Sequence, residues 1–235
     1  MDIEVKNLTK RYGDKMALDN ISFSHKGKGV IGYLGPNGAG KTTTFKILAG
    51  LLKPTSGSVS VNGFDVRKDP KSVLLSIGAV VESPEPDKTQ TIAEALHMSA
   101  EFRGLSKDDA NGQINKYGKL LELPPLNSRI GRLSKGQRQR ISLVAALISE
   151  PDILLLDEPT SGLDPAERMK FKKLILSMKK DRLILISSHV IQEIKEVCDE
   201  IIFLNNGKIM KQDTVKNLQK KYKDLEKAYM RIVGS

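Results

Sequence analysis

The sequence predicts an α/β fold, a mostly parallel sheet flanked by helices and interrupted by a helical insert. Three observations carry this. The runs Val30–Leu34, Ile153–Leu156 and Leu183–Ile186 are short and charge-free, the pattern of strands buried on both faces. A basic amphipathic helix, Pro165–Met178, separates the last two, and a β–helix–β order implies parallel strands joined by a crossover. Between Thr91 and Ser149 the periodicity turns helical, so a helical block divides the strands.

Taken in order, Ile3 and Val5 alternate with charged residues and Ile21 and Phe23 with polar ones, as strands do. Val30–Leu34 runs into a glycine-rich loop. After it, Thr42–Ala49 carries Phe45, Leu48 and Ala49 at helical spacing, and Gly50 is a stop signal. Ser58–Val61 and Ile77–Val81 read as strands. Ile92, Leu96, Leu120 and Leu121 carry the helical block. Ser134 caps a helix through Leu147, and Pro151 follows its end. The strands Ile153–Leu156 and Leu183–Ile186 come next, around Pro165–Met178. In the tail, Leu218, Tyr222, Leu225 and Tyr229 fall on one helical face.

Composition narrows the function classes. A chain of 235 residues with 39% apolar and 28% charged residues can bury a core and is not of the disordered type. Its single cysteine, Cys198, excludes an intrachain disulfide and a paired-cysteine zinc site, and a reducing compartment is the default. The acidic, alternating start at Met1–Glu4 predicts no signal peptide. The longest apolar stretch, Ile141–Ser149, is far shorter than the roughly 20 residues that cross a bilayer, so a membrane role has to be borrowed from another chain. The net charge of +10 is densest in Arg129–Arg140, Arg168–Arg182 and Lys208–Arg231. Few aromatics lie among these cations, so a solvated or membrane-facing surface is expected, and no nucleic acid.

Gly35-Pro36-Asn37-Gly38-Ala39-Gly40-Lys41-Thr42 has the G-x-x-x-x-G-K-[ST] pattern between a strand and a helix. Glycines let backbone N–H groups approach phosphate oxygens, and the helix start adds positive potential. Lys41 is placed to reach β- and γ-phosphates and Thr42 to put its hydroxyl on Mg²⁺, with Thr43 beside it. Asp157 and Glu158 end an apolar strand, the position where parallel sheets hold ligands. Asp157 suits a Mg²⁺ ligand through water, and Glu158 suits a general base or an orienter of the attacking water. His189 ends the strand Leu183–Ser188 and can contact the γ-phosphate or that water. Leu133-Ser134-Lys135-Gly136-Gln137 opens a helix. Its exposed amides can bind an anion, and plain capping by Ser134 fits the spacing equally.

Together these residues resemble the nucleotide-binding subunit of ABC transporters, from Ile3 to about Met230. Leu133–Gln137 is similar to the family's LSGGQ signature, about twenty residues before the carboxylate pair. Ser161-Gly162-Leu163-Asp164 resembles its D-loop, His189 its switch histidine, and Tyr12 the aromatic that stacks on adenine. The resemblance implies one ABC ATPase domain over residues 1–235. In it, residues 1–81 and 151–235 form a P-loop NTPase core with a small antiparallel β subdomain, and residues 82–150 a helical subdomain. It implies ATP and Mg²⁺ as cofactors and a head-to-tail dimer. Ser134, Gly136, Gln137 and Asp164 of one chain then complete the nucleotide site of the other, ATP closing the dimer and hydrolysis releasing it.

Two positions depart from the family pattern. Lys135 replaces the second signature glycine. Glu82, in Val81-Glu82-Ser83-Pro84, stands where the family usually has a glutamine touching Mg²⁺ and sensing the membrane partner. Glu there is similar to ABC ATPases of lantibiotic immunity and bacitracin resistance, which points to export of a peptide or antibiotic. The resemblance further implies a separate permease docking near Glu82 and the helical insert, and a cytoplasmic subunit peripheral on the inner face of the cell membrane. The alternative is a soluble ABC ATPase acting on nucleic acid or ribosomes. A single cassette with no room for a coiled coil weighs against it, and the basic charge is its support. A small-molecule P-loop kinase shares the phosphate loop but needs neither signature nor D-loop.

Overall fold

The computed structural model describes residues 1–82 and 87–234. Positions 83–86 of the expected insert, Ser83 and Pro84 included, lie outside the described residues. Two sheets organise the chain. β1 (Asp2–Tyr12), β2 (Lys15–Lys26), β4 (Ser56–Val61) and β5 (Phe64–Asp65) pair antiparallel in the order β2-β1-β4-β5. The central sheet runs β10-β9-β3-β8-β7-β6. Its members are β3 (Gly29–Leu34), β6 (Ile77–Val80), β7 (Ile153–Asp157), β8 (Leu183–Ser188), β9 (Glu200–Asn205) and β10 (Lys208–Thr214). All pair parallel except β10 on β9.

Each central strand divides its side chains between two cores. Ile31 and Tyr33, Ile153 and Leu155, Leu183 and Leu185, and Ile202 and Leu204 face one side. There they meet Phe45 and Leu48 of α1 (Lys41–Leu48), Val73 of α2 (Pro70–Ser76), and Ile3, Val5, Val59 and Val61 of the antiparallel sheet. Val30 and Leu34, Leu154 and Leu156, Ile184 and Ile186, and Ile201 and Phe203 face the other side. They pack against α3 (Ile92–Phe102), α4 (Lys107–Leu120), α5 (Lys135–Leu147), α6 (Pro165–Met178), α7 (Ile191–Lys195), α8 (Val215–Tyr222) and α9 (Leu225–Ile232). Double-sided burial is why these strands read as uninterrupted apolar runs. The register sets Leu34 beside Ser188 and Asp157 beside Ser187, so the carboxyl ends of β3, β7 and β8 come level at one edge.

The helical block is capped by side chains. Thr91 and Glu94 form a capping box on α3, and Ser106 accepts the Asp109 N–H on α4. A polar cluster ties this block to the sheet. The Tyr117 hydroxyl on α4 donates to Glu150 Oε2 at 2.7 Å, and Arg182, which precedes β8, pairs with the same carboxylate and with the Tyr117 hydroxyl. Lys116 pairs with Glu150 Oε1. Arg103 adds a second tie, donating to the Ile77 carbonyl at 2.9 Å and to Ser149 Oγ at 3.1 Å.

The tail differs from expectation. It is two helices, because Lys223 adopts φ 67° and the Asp224 carboxylate accepts the Leu225 N–H at 2.6 Å, starting α9 afresh. Leu218 and Leu225 are still buried on the shared face. The first 7 residues of the basic stretch 208–231 form a strand: β10 pairs with β9 through an Asn206-Gly207 turn at φ 46° and 74°. Asn-Gly between two strands is a hairpin signal. Among the described residues no helix is long and apolar enough to cross a membrane.

Candidate functional site

The site grows from the level carboxyl ends of β3, β7 and β8. β3 feeds the loop 35–40, and close packing dictates its glycines. A Cβ on Gly35 would stand 2.2 Å from the Leu204 carbonyl oxygen on β9, and one on Gly40, at φ 109°, 2.7 Å from the Ala17 carbonyl. Gly40 caps α1 without a side chain, and the first turn holds no acid, so no carboxylate competes for the helix-start amides. Lys41 is only 6% exposed and folds back over the loop. Its Nζ donates to the carbonyls of Gly35 at 2.8 Å and Pro36 at 3.1 Å. Pro36 and Ala39 shape the loop: the Ala39 N–H donates to the Pro36 carbonyl at 3.2 Å.

β7 delivers two carboxylates with different surroundings. Asp157 is buried and accepts a hydrogen bond from the Ser187 hydroxyl on β8. Glu158 turns at φ 48°, and its N–H donates to the same Ser187 Oγ at 2.9 Å. The turn sends the Glu158 carboxylate toward the phosphate loop, where Oε1 lies 3.4 Å from Lys41 Nζ. Its Oε2 lies 2.9 Å from His189 Nδ1, at the end of β8. Lys41, Glu158 and His189 therefore form one contiguous chain of charge and hydrogen bonding. Ser187 fastens the Asp157 carboxylate and the Glu158 backbone, and it is not among the residues the sequence singles out. The serine pair Ser187-Ser188 directly before His189 was the available signal.

Two cavities meet at Glu158. One, of about 610 Å³, is lined by Tyr12, Asn37, Gly38, Gly40, Lys41, Thr42, Thr43 and His189, with Glu158 and Ser161. Tyr12 at its rim is half exposed, with Lys10 Nζ 5.1 Å from its ring centre. The other, of about 400 Å³, is lined by Val80, Glu82, Lys135 and Asp157, and shares Thr42, Glu158 and Ser161 with the first. Glu82 pairs with Lys46 at 2.6 Å. No group of three or more His, Cys, Asp or Glu suited to a metal occurs among the described residues. A divalent cation here has the Thr42 hydroxyl, Asp157 and Glu82 to draw on, and needs phosphate and water oxygens to complete its shell. Mg²⁺, which keeps waters and binds with substrate phosphates, fits that donor set.

The remaining site residues lie elsewhere in the single chain. Ser134 and Gln137 satisfy each other in a capping box: Ser134 Oγ accepts the Gln137 N–H at 3.2 Å, and Gln137 Oε1 accepts the Ser134 N–H at 2.9 Å. Gly136 packs on Glu167, whose carboxylate oxygen lies 2.8 Å from where a Cβ would stand. Asp164 caps α6, accepting the Glu167 N–H at 2.8 Å. None of the four lines either cavity. The Lys135 stem lies over Gly162, 3.1 Å from where a Cβ would stand, and Gly162 adopts φ 81°. A separate apolar groove of about 500 Å³ runs between α2, α3 and α5, where Leu74, Leu75, Met98 and Phe102 are exposed.

Comparisons with known proteins place the chain beside one family. A family profile described as ABC transporter matches residues 18–161. The bacitracin transport ATP-binding protein BcrA of Bacillus licheniformis is 36% identical over 95% of this chain and 74% of its own length. The ABC transporter ATP-binding protein NatA of Bacillus subtilis (strain 168) is 34% identical over 92% of this chain and 91% of its own. A solved ATP-binding subunit of an ABC transporter superposes with a TM-score of 0.90 at 27% identity, covering 99% of both chains. The dimeric post-hydrolysis state of the ATP-binding cassette MJ0796 bound to ADP and Pi matches with a TM-score of 0.82 at 25% identity, over 91% of this chain and 98% of that one.

Proposed function

The chain belongs to the ABC transporter family as an ATP-binding, ATP-hydrolysing member, and we propose that it is the motor subunit of an exporter whose membrane permease is a separate polypeptide. The observation that carries the site assignment is the Glu158 carboxylate held between Lys41 and His189 at the mouth of the phosphate loop.

In this reading the backbone of residues 35–43 receives the triphosphate and Tyr12 offers its ring face to the adenine. Lys41 leaves the Gly35 and Pro36 carbonyls for the β- and γ-phosphates, which also frees Glu158 Oε1 from its cationic neighbour. Glu158 then takes the proton of the attacking water, while His189 steadies the carboxylate through Nδ1. Thr42 and Asp157, with Glu82 beside them, would hold Mg²⁺, which when bound would supply neutralising charge to the phosphate oxygens.

Ser134, Gly136, Gln137 and Asp164 line neither of the two cavities that meet at Glu158, and we assign them to the nucleotide of a second subunit in a head-to-tail dimer. The dimeric form of the MJ0796 cassette supports this. A γ-phosphate present in ATP and absent from ADP gives the differential contact that a two-state motor needs. Residues 82–150 act as the helical subdomain, and the groove beside α3 takes the permease, which holds the subunit at the inner face of the membrane. BcrA is described for bacitracin transport and other relatives for Nod factor export. BcrA together with Glu82 supports an antibiotic or peptide as cargo, and both names favour export over a role on nucleic acid or ribosomes.

Glu158→Gln tests the assignment. It is expected to retain ATP binding, to slow hydrolysis about 100-fold or more, and to accumulate an ATP-bound dimer in light scattering. A variant that hydrolyses ATP at the wild-type rate and stays monomeric with ATP overturns it.

A further inference from the structure

We infer that Glu193 is a positioning residue for hydrolysis: from outside both cavities its carboxylate fastens the loop that carries Glu158 to the loop that carries His189. The inference rests on the assignment of Glu158 and His189 above. Glu193 sits in the first turn of α7, and its side chain is 17% exposed. Its Oε2 accepts two hydrogen bonds, from the Thr160 hydroxyl at 2.7 Å and from the Ser188 hydroxyl at 2.8 Å. Thr160 lies two residues after Glu158, and Ser188 immediately before His189. Both hydroxyl residues are buried.

Each hydroxyl has one proton to give; Thr160 points its proton at this carboxylate, and Ser188 lies 2.8 Å from it against 3.5 Å from its other acceptor, the Val190 carbonyl. Ser188 Oγ in turn accepts the Val190 N–H at 2.9 Å, which shapes the backbone around His189. On its other oxygen Glu193 meets Arg168 Nη1 at 3.6 Å, and Arg168 Nε donates to the Leu163 carbonyl at 3.1 Å. One side chain thus anchors both ends of the segment 160–163 and the chain entering His189. Without it the buried Thr160 hydroxyl loses its acceptor and the Ser188 hydroxyl its short one, and the ties left between the two segments are the Glu158 N–H bond to Ser187 Oγ at 2.9 Å and the Glu158–His189 contact itself. The 2.9 Å contact of Glu158 with His189 spans the same two loops, so it depends on their spacing. Misplacing a reacting group by a fraction of its contact distance lowers turnover without weakening substrate binding.

The experiment compares the full chain with Glu193→Ala, Glu193→Gln and Thr160→Val, measuring ATPase kcat and KM, affinity for a fluorescent ADP analogue, and melting temperature. Glu193→Ala is expected to lower kcat about tenfold or more, with KM and ADP affinity held within about twofold. Glu193→Gln keeps an oxygen that can accept from both hydroxyls and loses only the charge toward Arg168. It is expected to recover kcat to within about threefold of wild type. Thr160→Val is expected to lower kcat alone and to add little on top of Glu193→Ala, since both remove the same bond. Wild-type kcat in Glu193→Ala overturns the inference, as does a kcat loss matched by an equal loss of ADP affinity. If Glu193→Ala does not fold, Thr160→Val decides, and an unchanged kcat there overturns it. Glu158→Gln in the same assay separates the two levels. Inactive Glu158→Gln beside fully active Glu193→Ala defeats the positioning role alone, whereas active Glu158→Gln defeats the site assignment beneath it.

Discussion

Replacing Glu150 by alanine is expected to weaken the attachment of the helical block to the sheet and leave the nucleotide site intact. Glu150 is the shared acceptor for Tyr117, Arg182 and Lys116. Arg182 is only 12% exposed, so deleting its partner strands a guanidinium that water scarcely reaches. Breaking a fully buried ion pair costs about 3–5 kcal/mol. Glu150 itself is 35% exposed and Lys116 lies in solvent, which lowers the expected cost to about 2–3 kcal/mol. For a chain of this size that is a fall in Tm of roughly 4–12 °C.

Urea denaturation followed by circular dichroism, beside a thermal melt, reads the change. The pH dependence gives a second check. Burial pushes the Glu150 carboxyl up, but hydrogen bonds from Lys116 and Tyr117 and the charge of Arg182 outweigh it, and the net direction is downward from 4.5. A carboxyl held below its unfolded value stabilises above that value, and the contribution fades as pH falls through the folded one. The gap between wild type and Glu150→Ala therefore narrows below about pH 4.5. A loss of less than about 0.5 kcal/mol at pH 7 refutes the reasoning, as does a loss that comes with weaker ATP binding.

Three further outcomes are expected. Lys41→Ala removes the cation folded over the phosphate loop and is expected to weaken ATP binding about 100-fold or more by isothermal titration, near 2.7 kcal/mol; wild-type affinity counts against the loop assignment. Glu82→Gln breaks an exposed pair with Lys46, so stability should change by less than about 1 kcal/mol. ATP affinity should hold while transport by the assembled permease complex changes, and unaltered transport makes Glu82 a neutral position. Burial pushes the Cys198 thiol well above its ordinary 9.0, with Asp199 adding to the rise. Iodoacetamide at pH 8 should leave the native chain unmodified and label it in denaturing urea. The stability this thiol lends is complete below about pH 9 and declines as pH rises toward the native value, and rapid labelling of the folded protein contradicts its burial.

Much of this was legible because it is local. The phosphate loop, the strand ending in Asp157 and Glu158, and helix α6 at Pro165–Met178 each announce themselves within about a dozen residues. The hairpin of β9 and β10 was equally local, in Ile201-Ile202-Phe203-Leu204 followed by Asn206-Gly207, but its basic second strand read as part of a charged tail. The break at Lys223 left no such sign, since lysine is an unusual choice for a left-handed backbone and the helical period runs through it undisturbed. Thr160 and Glu193 were out of reach for another reason. Their roles arise from hydrogen bonds between strands and helices some thirty residues apart, which parallel register creates and periodicity does not encode.

The alternation of side chains along β3, β7, β8 and β9 makes the sheet a party wall between two tenants. Each residue along it is committed to one household. Deleting a single residue within β7 would exchange the allegiance of every side chain beyond the cut and swing Asp157 away from Ser187. The two sides therefore stand or fall together. Laboratory or evolutionary tinkering with length has to be done in the corridors beyond the strand ends, never in the masonry itself.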